Sequence, residues 1–127
     1  MSYYFAKTTA YSFEEALARV TEELKNEGFG VLTEIDVQAT LKKKLNVDFR
    51  RYKILGACNP PFAHQALQAE EYIGAMLPCN VIVQEKDGGV EVAAVDPITS
   101  MASVHNEKLA GIAEQVRGKL ANVIKHV

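Results

Sequence analysis

The chain has no tryptophan, and only two cysteines and four prolines among its 127 residues. Cys58 and Cys79 are too few to frame a disulfide-built domain, and such sparing use suits a reducing compartment. No apolar run approaches the roughly 18 residues that a membrane span needs, so no membrane partner is expected. The opening, Met1-Ser2-Tyr3-Tyr4-Phe5, lacks a cationic start followed by an apolar core, so no secretory signal is read. Together these absences predict a cytoplasmic protein. A strong charge of one sign is also lacking: the net charge is -2, which gives no general attraction for nucleic acid. The one basic run, Lys42-Lys43-Lys44 with Arg50-Arg51 beyond it, reads as a solvated helix face. There is no G-x-S-x-G, no phosphate-binding P-loop and no Gly-rich dinucleotide turn.

What is present is the composition of a globular protein, 48% hydrophobic and 24% charged. The length suits one domain over 1–127, able to bury a core without disulfide or metal.

Local patterns then divide the chain into elements. Ser2 to Thr9 reads as a strand. Ser12 and Glu15 form a capping box, with Tyr11 placed to staple on Ala16. Phe13, Ala16, Leu17, Val20 and Leu24 recur at helical spacing, and Gly28 supplies the left-handed residue that ends a helix. Phe29 to Asp36 alternates as a strand. Asp36 caps a short helix running to Leu45, expected to bury Val37, Leu41 and Leu45. Arg51 to Ala57 is a third strand. Asn59-Pro60-Pro61 opens a helix to about Ala69, since proline is tolerated where the first-turn N–H groups have no partner. Tyr72 to Leu77 forms a second helical piece. Asp87-Gly88 is the strongest hairpin signal, between strands at Asn80–Gln84 and Val90–Val95. A loop, Asp96 to Ser100, leads to a last helix carrying Leu109, Ile112, Ala113, Val116, Leu120 and Val123. The order β-α-β-α-β-α-β-β-α predicts an α+β fold, a single mixed sheet with helices packed on it.

Three groups of residues could carry chemistry. Cys58, His64 and Cys79 are soft metal ligands, but C-x5-H-x14-C matches no zinc-finger spacing and no fourth ligand is evident, so no metal site is assigned. Cys58 stands just ahead of a helix start, where the dipole favours thiolate. Glu34, Asp36 and Asp96 lie at strand ends, though a cap and a turn explain Asp36 and Asp96 equally well.

The stretch from Tyr52 to Asn80 resembles the bacterial and archaeal family known as domain of unknown function 302 (DUF-302). The resemblance is carried by Tyr52-Lys53-Ile54-Leu55-Gly56, Cys58-Asn59-Pro60, the helix Phe62 to Leu67, and Leu77-Pro78-Cys79-Asn80. Gly28-Phe29-Gly30, Glu34-Ile35-Asp36-Val37 and Asp96-Pro97 extend it along nearly the whole chain. It implies a compact, homodimeric α/β fold and supplies no catalytic assignment or cofactor.

The residues therefore favour a dimeric ligand- or partner-binding module over a thiol- or metal-dependent enzyme or carrier using Cys58 and Cys79. The candidate ligand-binding residues are Cys58, Asn59, His64, Cys79, Asn80 and Asp36. If the two helical pieces between Cys58 and Cys79 fold back on each other, both C-N dipeptides meet in one pocket. Backbone N–H groups at the helix start would then suit a small polar or anionic ligand. A parallel βαβ crossover would instead separate them by a strand length.

Overall fold

The computed structural model describes residues 2–127. Strand β1 (Tyr4–Thr9) leads to α1 (Phe13–Asn26), whose N-cap is Ser12. The Ser12 hydroxyl oxygen accepts the Glu15 N–H at 3.1 Å and donates to the Glu15 carboxylate. At the far end Gly28 takes φ +87°, with Phe29 N–H donating to Leu24 O and Gly28 N–H to Lys25 O. That pair of bonds satisfies carbonyls the helix leaves open and turns the chain into β2. Phe13, Ala16, Val20 and Leu24 are buried, whereas Leu17, expected inside, is half-buried at the edge of the stripe.

Strand β2 (Gly30–Asp36) passes directly into α2 (Val37–Leu45), capped by the Asp36 carboxylate accepting from Ala39 N–H at 2.9 Å. The expected burial of Val37, Leu41 and Leu45 does not occur; α2 has no buried residue and Leu45 is 65% exposed. The reason is position: β2 is an edge strand, and α2 packs chiefly against β2 and β3.

Strand β3 (Tyr52–Cys58) is followed by α3 (Pro60–Ala69), a 3₁₀ turn (Glu71–Met76), β4 (Cys79–Lys86) and β5 (Gly89–Val95). Asp87 and Gly88 join the last two strands, as their turn chemistry predicts. A short helix, α4 (Pro97–Ser100), replaces the expected loop before α5 (Glu107–His126).

The five strands stand in the order β1-β5-β4-β3-β2, and every pairing is antiparallel. The α+β class holds, while the sheet expected to be mixed is antiparallel throughout. Each connection from β2 to β5 returns the chain to the end it left, so successive strands must reverse. One face carries Leu55, Ala57, Val81, Val83, Val92 and Ala94 against α1 and α5, with Leu24 and Leu120 fully enclosed.

Gly56 is fixed by close approach. A Cβ built there would sit 2.2 Å from Thr33 Oγ1 and 2.8 Å from Pro78 Cγ. Only a residue without a side chain lets β2 and the start of β4 close over this point of β3.

Candidate functional site

Cys79 opens β4 directly opposite Ala57 of β3, one residue from Cys58. The 3₁₀ turn after α3 reverses the chain, so β4 begins where β3 ends and the crossover alternative is excluded. Around this meeting point lies a cleft of about 310 Å³. Its floor is Ala57, Cys58 and Cys79, and its sides come from Phe29, α3, Pro97 and the N-terminal half of α5. The wall is apolar except for Thr33, Asn59 and the two thiols.

Local chemistry holds the wall in place. The Asp96 carboxylate, buried, accepts from Ile98 N–H at 3.0 Å through one oxygen and from Arg117 Nε at 3.0 Å through the other. Asp96 is thus both the cap of α4 and its tie to α5, which keeps Pro97 and Met101 over the cleft. Asn106 Oδ1 caps α5 by accepting Lys108 N–H, and its Nδ2 donates to Ala69 O at 2.8 Å. That bond binds the end of α3 to the start of α5.

Asn59 occupies the N-cap of α3, but its side chain makes no capping bond. Its Nδ2 instead donates to Glu27 O at 3.2 Å, at the end of α1, packed against Gly28. The residue as a whole is 8% exposed, and its Oδ1, to which no described residue donates, keeps contact with solvent.

Of the six candidate residues, Cys58, Asn59 and Cys79 line the cleft. Asn80 does not, because successive strand residues face opposite ways; it lines a groove of about 450 Å³ on the other sheet face. His64 is exposed on α3 away from the cleft, and Asp36 is an exposed cap committed to Ala39. Glu34 is paired with Lys53 at 2.6 Å. Among the described residues no group of three His, Cys, Asp or Glu side chains is arranged to hold a metal ion. Burial, and secondly the neighbouring Cys58, push the Cys79 thiol up to about 11. A thiol so placed stays protonated at neutral pH.

The backbone donors expected at the start of α3 are largely missing. Pro60 and Pro61 have no N–H, and Ala63 N–H is bonded to Asn59 O, which leaves Phe62 N–H. The main lining residues that sequence reasoning passed over are Phe29, Ala63, Ala66, Met101 and Ile112. The signals were the small residues Ala63 and Ala66 at i, i+3 on α3, and an α5 stripe longer than α1 can cover.

The description "Domain of unknown function DUF302" matches residues 5–127. The crystal structure of an uncharacterized conserved protein DUF302 from Bacillus stearothermophilus superposes with a TM-score of 0.92 at 28% sequence identity. That likeness covers 99% of this chain and 98% of the other. No curated protein matches the chain.

Proposed function

The chain belongs to the DUF302 family, and we propose that this member is a binding module whose small, predominantly apolar ligand occupies the cleft at the start of α3. The observation that carries the reading is the cleft itself, about 310 Å³ with a wall that offers almost nothing but carbon. Volumes of this order are typical of small-molecule sites, and burying a ligand's apolar surface there contributes roughly 25 cal/mol per Å². A charged ligand would lose its hydration without gaining paired charges, so the apolar reading replaces the polar or anionic one.

A thiol-based reading draws support from Cys58 and Cys79 standing on neighbouring strands at the same cleft. The raised pKa of Cys79 works against it, since thiolate is the reactive form. Thiol titration with and without chelator, with metal analysis of the same sample, separates the two readings.

A second copy of the chain is proposed to cover the sheet face opposite the helices. On that face Ile35 stands beside Ile54, Ile54 beside Ile82, Ile82 beside Ala93, and Ala93 beside Ala6. Such an apolar row across all strands, with Tyr4 45% and Ile35 48% exposed, suits an isologous sheet-to-sheet contact.

The test of the ligand reading is titration with N-phenyl-1-naphthylamine, whose fluorescence rises in apolar surroundings. Saturable binding is expected, with loss of it in Ala63→Phe, which fills the cleft. Binding unchanged in a folded Ala63→Phe protein would place the probe elsewhere and end the reading.

A further inference from the structure

We infer that the open sheet face meets its second copy about a two-fold axis running along the strands through β4, so that a ridge on each copy fills a groove on the other. The inference rests on the sheet-to-sheet reading above and adds which residues meet.

The row of side chains across that face tapers. Ile35 on β2 and Ile54 on β3 are bulky, Ile82 stands in the middle on β4, and Ala93 on β5 and Ala6 on β1 are small. The small half is hollow. A groove of about 450 Å³ is lined there by Ile82, Ala93, Val95, Tyr3 and Tyr4, and of β3 only Tyr52 reaches it. Ile54 and Ile35 stand outside it, and Ile35 is 48% exposed. One half of the face is a ridge and the other a groove.

A two-fold contact joins the same patch on both copies, so the direction of the axis decides which half meets which. An axis along the strands through β4 lays β3 on the second copy's β5, and β2 on its β1. Ile54 then meets Ala93, Ile35 meets Ala6, each contact occurs twice, and Ile82 meets its own mate. An axis across the strands would set Ile54 and Ile35 on themselves and leave both grooves empty. Crowded contacts and voids each cost stability, which favours the first arrangement.

Charge divides the same way at one end of the sheet, where Tyr52 stands beside Gln84 and Gln84 beside Glu91. There the groove half carries Glu85, Asp87 and Glu91 with only Lys86 among them. The ridge half carries Arg50 and the α2 residues Lys42, Lys43 and Lys44, with Asp36 and Asp48 among them. An axis along the strands keeps that end of one copy against the same end of the other, so the excess of cations faces the excess of acids. An axis across the strands would carry them to opposite ends.

The experiment mixes Ile54→Cys and Ala93→Cys proteins, lets subunits exchange, and reads disulfide-linked dimer on a non-reducing gel after mild oxidation. Sheets packed face to face stand about 10 Å apart, so facing side chains come within reach of a disulfide. The mixture is expected to give at least about fivefold more linked dimer than either variant alone, because two Ile54 residues would lie a further two strand spacings, roughly 10 Å, apart. Ile82→Cys is expected to link to itself, and the wild type to stay unlinked, since Cys79 is buried and Cys58 lines the cleft. Ile54→Cys linking to itself at least as well as to Ala93→Cys overturns the axis while the sheet contact stands. Light scattering that returns two chain masses, with no linkage in any variant, places the contact elsewhere and overturns the axis and the sheet contact together. A wild type that scatters as one chain overturns both as well.

Discussion

The Asn59 side-chain amide donates to the Glu27 backbone carbonyl at 3.2 Å, joining the start of α3 to the end of α1 across 32 residues of chain. It takes the place of the capping bond Asn59 would otherwise make, and so sets the direction in which α3 leaves the sheet. Asn59→Ala is expected to cost about 1 to 2 kcal/mol, the range of a hydrogen bond whose loss strands one partner. Urea unfolding measures it, and a change below about 0.3 kcal/mol would mean that water serves Glu27 equally well.

Gly56→Ala is expected to destabilise by about 1 to 3 kcal/mol, as overpacking at a closed contact does. Thr33 can rotate its hydroxyl away, but the Pro78 ring 2.8 Å from the new methyl cannot. Pairing the change with Pro78→Ala should recover part of the loss. Additive losses in the double variant would show that the two positions do not meet.

Cys79 ties stability to alkaline pH. Its folded-state pKa, about 11, lies above its ordinary 9.0, so folding favours the protonated thiol. The stability it contributes is complete below pH 9 and is lost as pH rises from 9 toward 11, by about 2 to 3 kcal/mol in all. Chemical denaturation of the wild type and Cys79→Ala across that window should show the wild type falling further. Parallel curves would mean that the thiol is solvated.

The open sheet face should hold the chain as a pair. Light scattering at tens of micromolar is expected to return twice the 14.0 kDa chain mass. Ile82→Lys, in the centre of the apolar row, is expected to return one chain mass with the fold kept. A monomeric wild type at that concentration would remove the second copy from the face.

Much of the fold is legible locally. The capping box at Ser12, the left-handed Gly28 and the Asp87-Gly88 turn act within five residues of chain, so sequence spacing alone places α1 and the β4–β5 hairpin. The buried stripe of α5 is equally plain, and Leu120, at its centre, is fully enclosed as a period of 3.6 requires. Leu41 and Leu45 misled because periodicity marks a face that could be buried, not whether a neighbour exists to bury it. Nothing near them in sequence says that β2 ends the sheet.

Sequence by itself thus determined the elements, their caps and turns, and the resemblance of Cys58-Asn59-Pro60 and Leu77-Pro78-Cys79-Asn80 to a known family. Tertiary structure alone decided that every strand runs antiparallel, that Cys79 faces Ala57, and that Asn80 turns to the opposite sheet face. It alone diverted the Asn59 amide from its helix to Glu27 and brought Phe29, Ala66, Met101 and Ile112 around one cleft. The physical reason is range. Caps and turns are short hydrogen bonds within one stretch of chain, whereas the cleft is closed by side chains far apart in sequence, whose meeting depends on how the whole sheet is ordered.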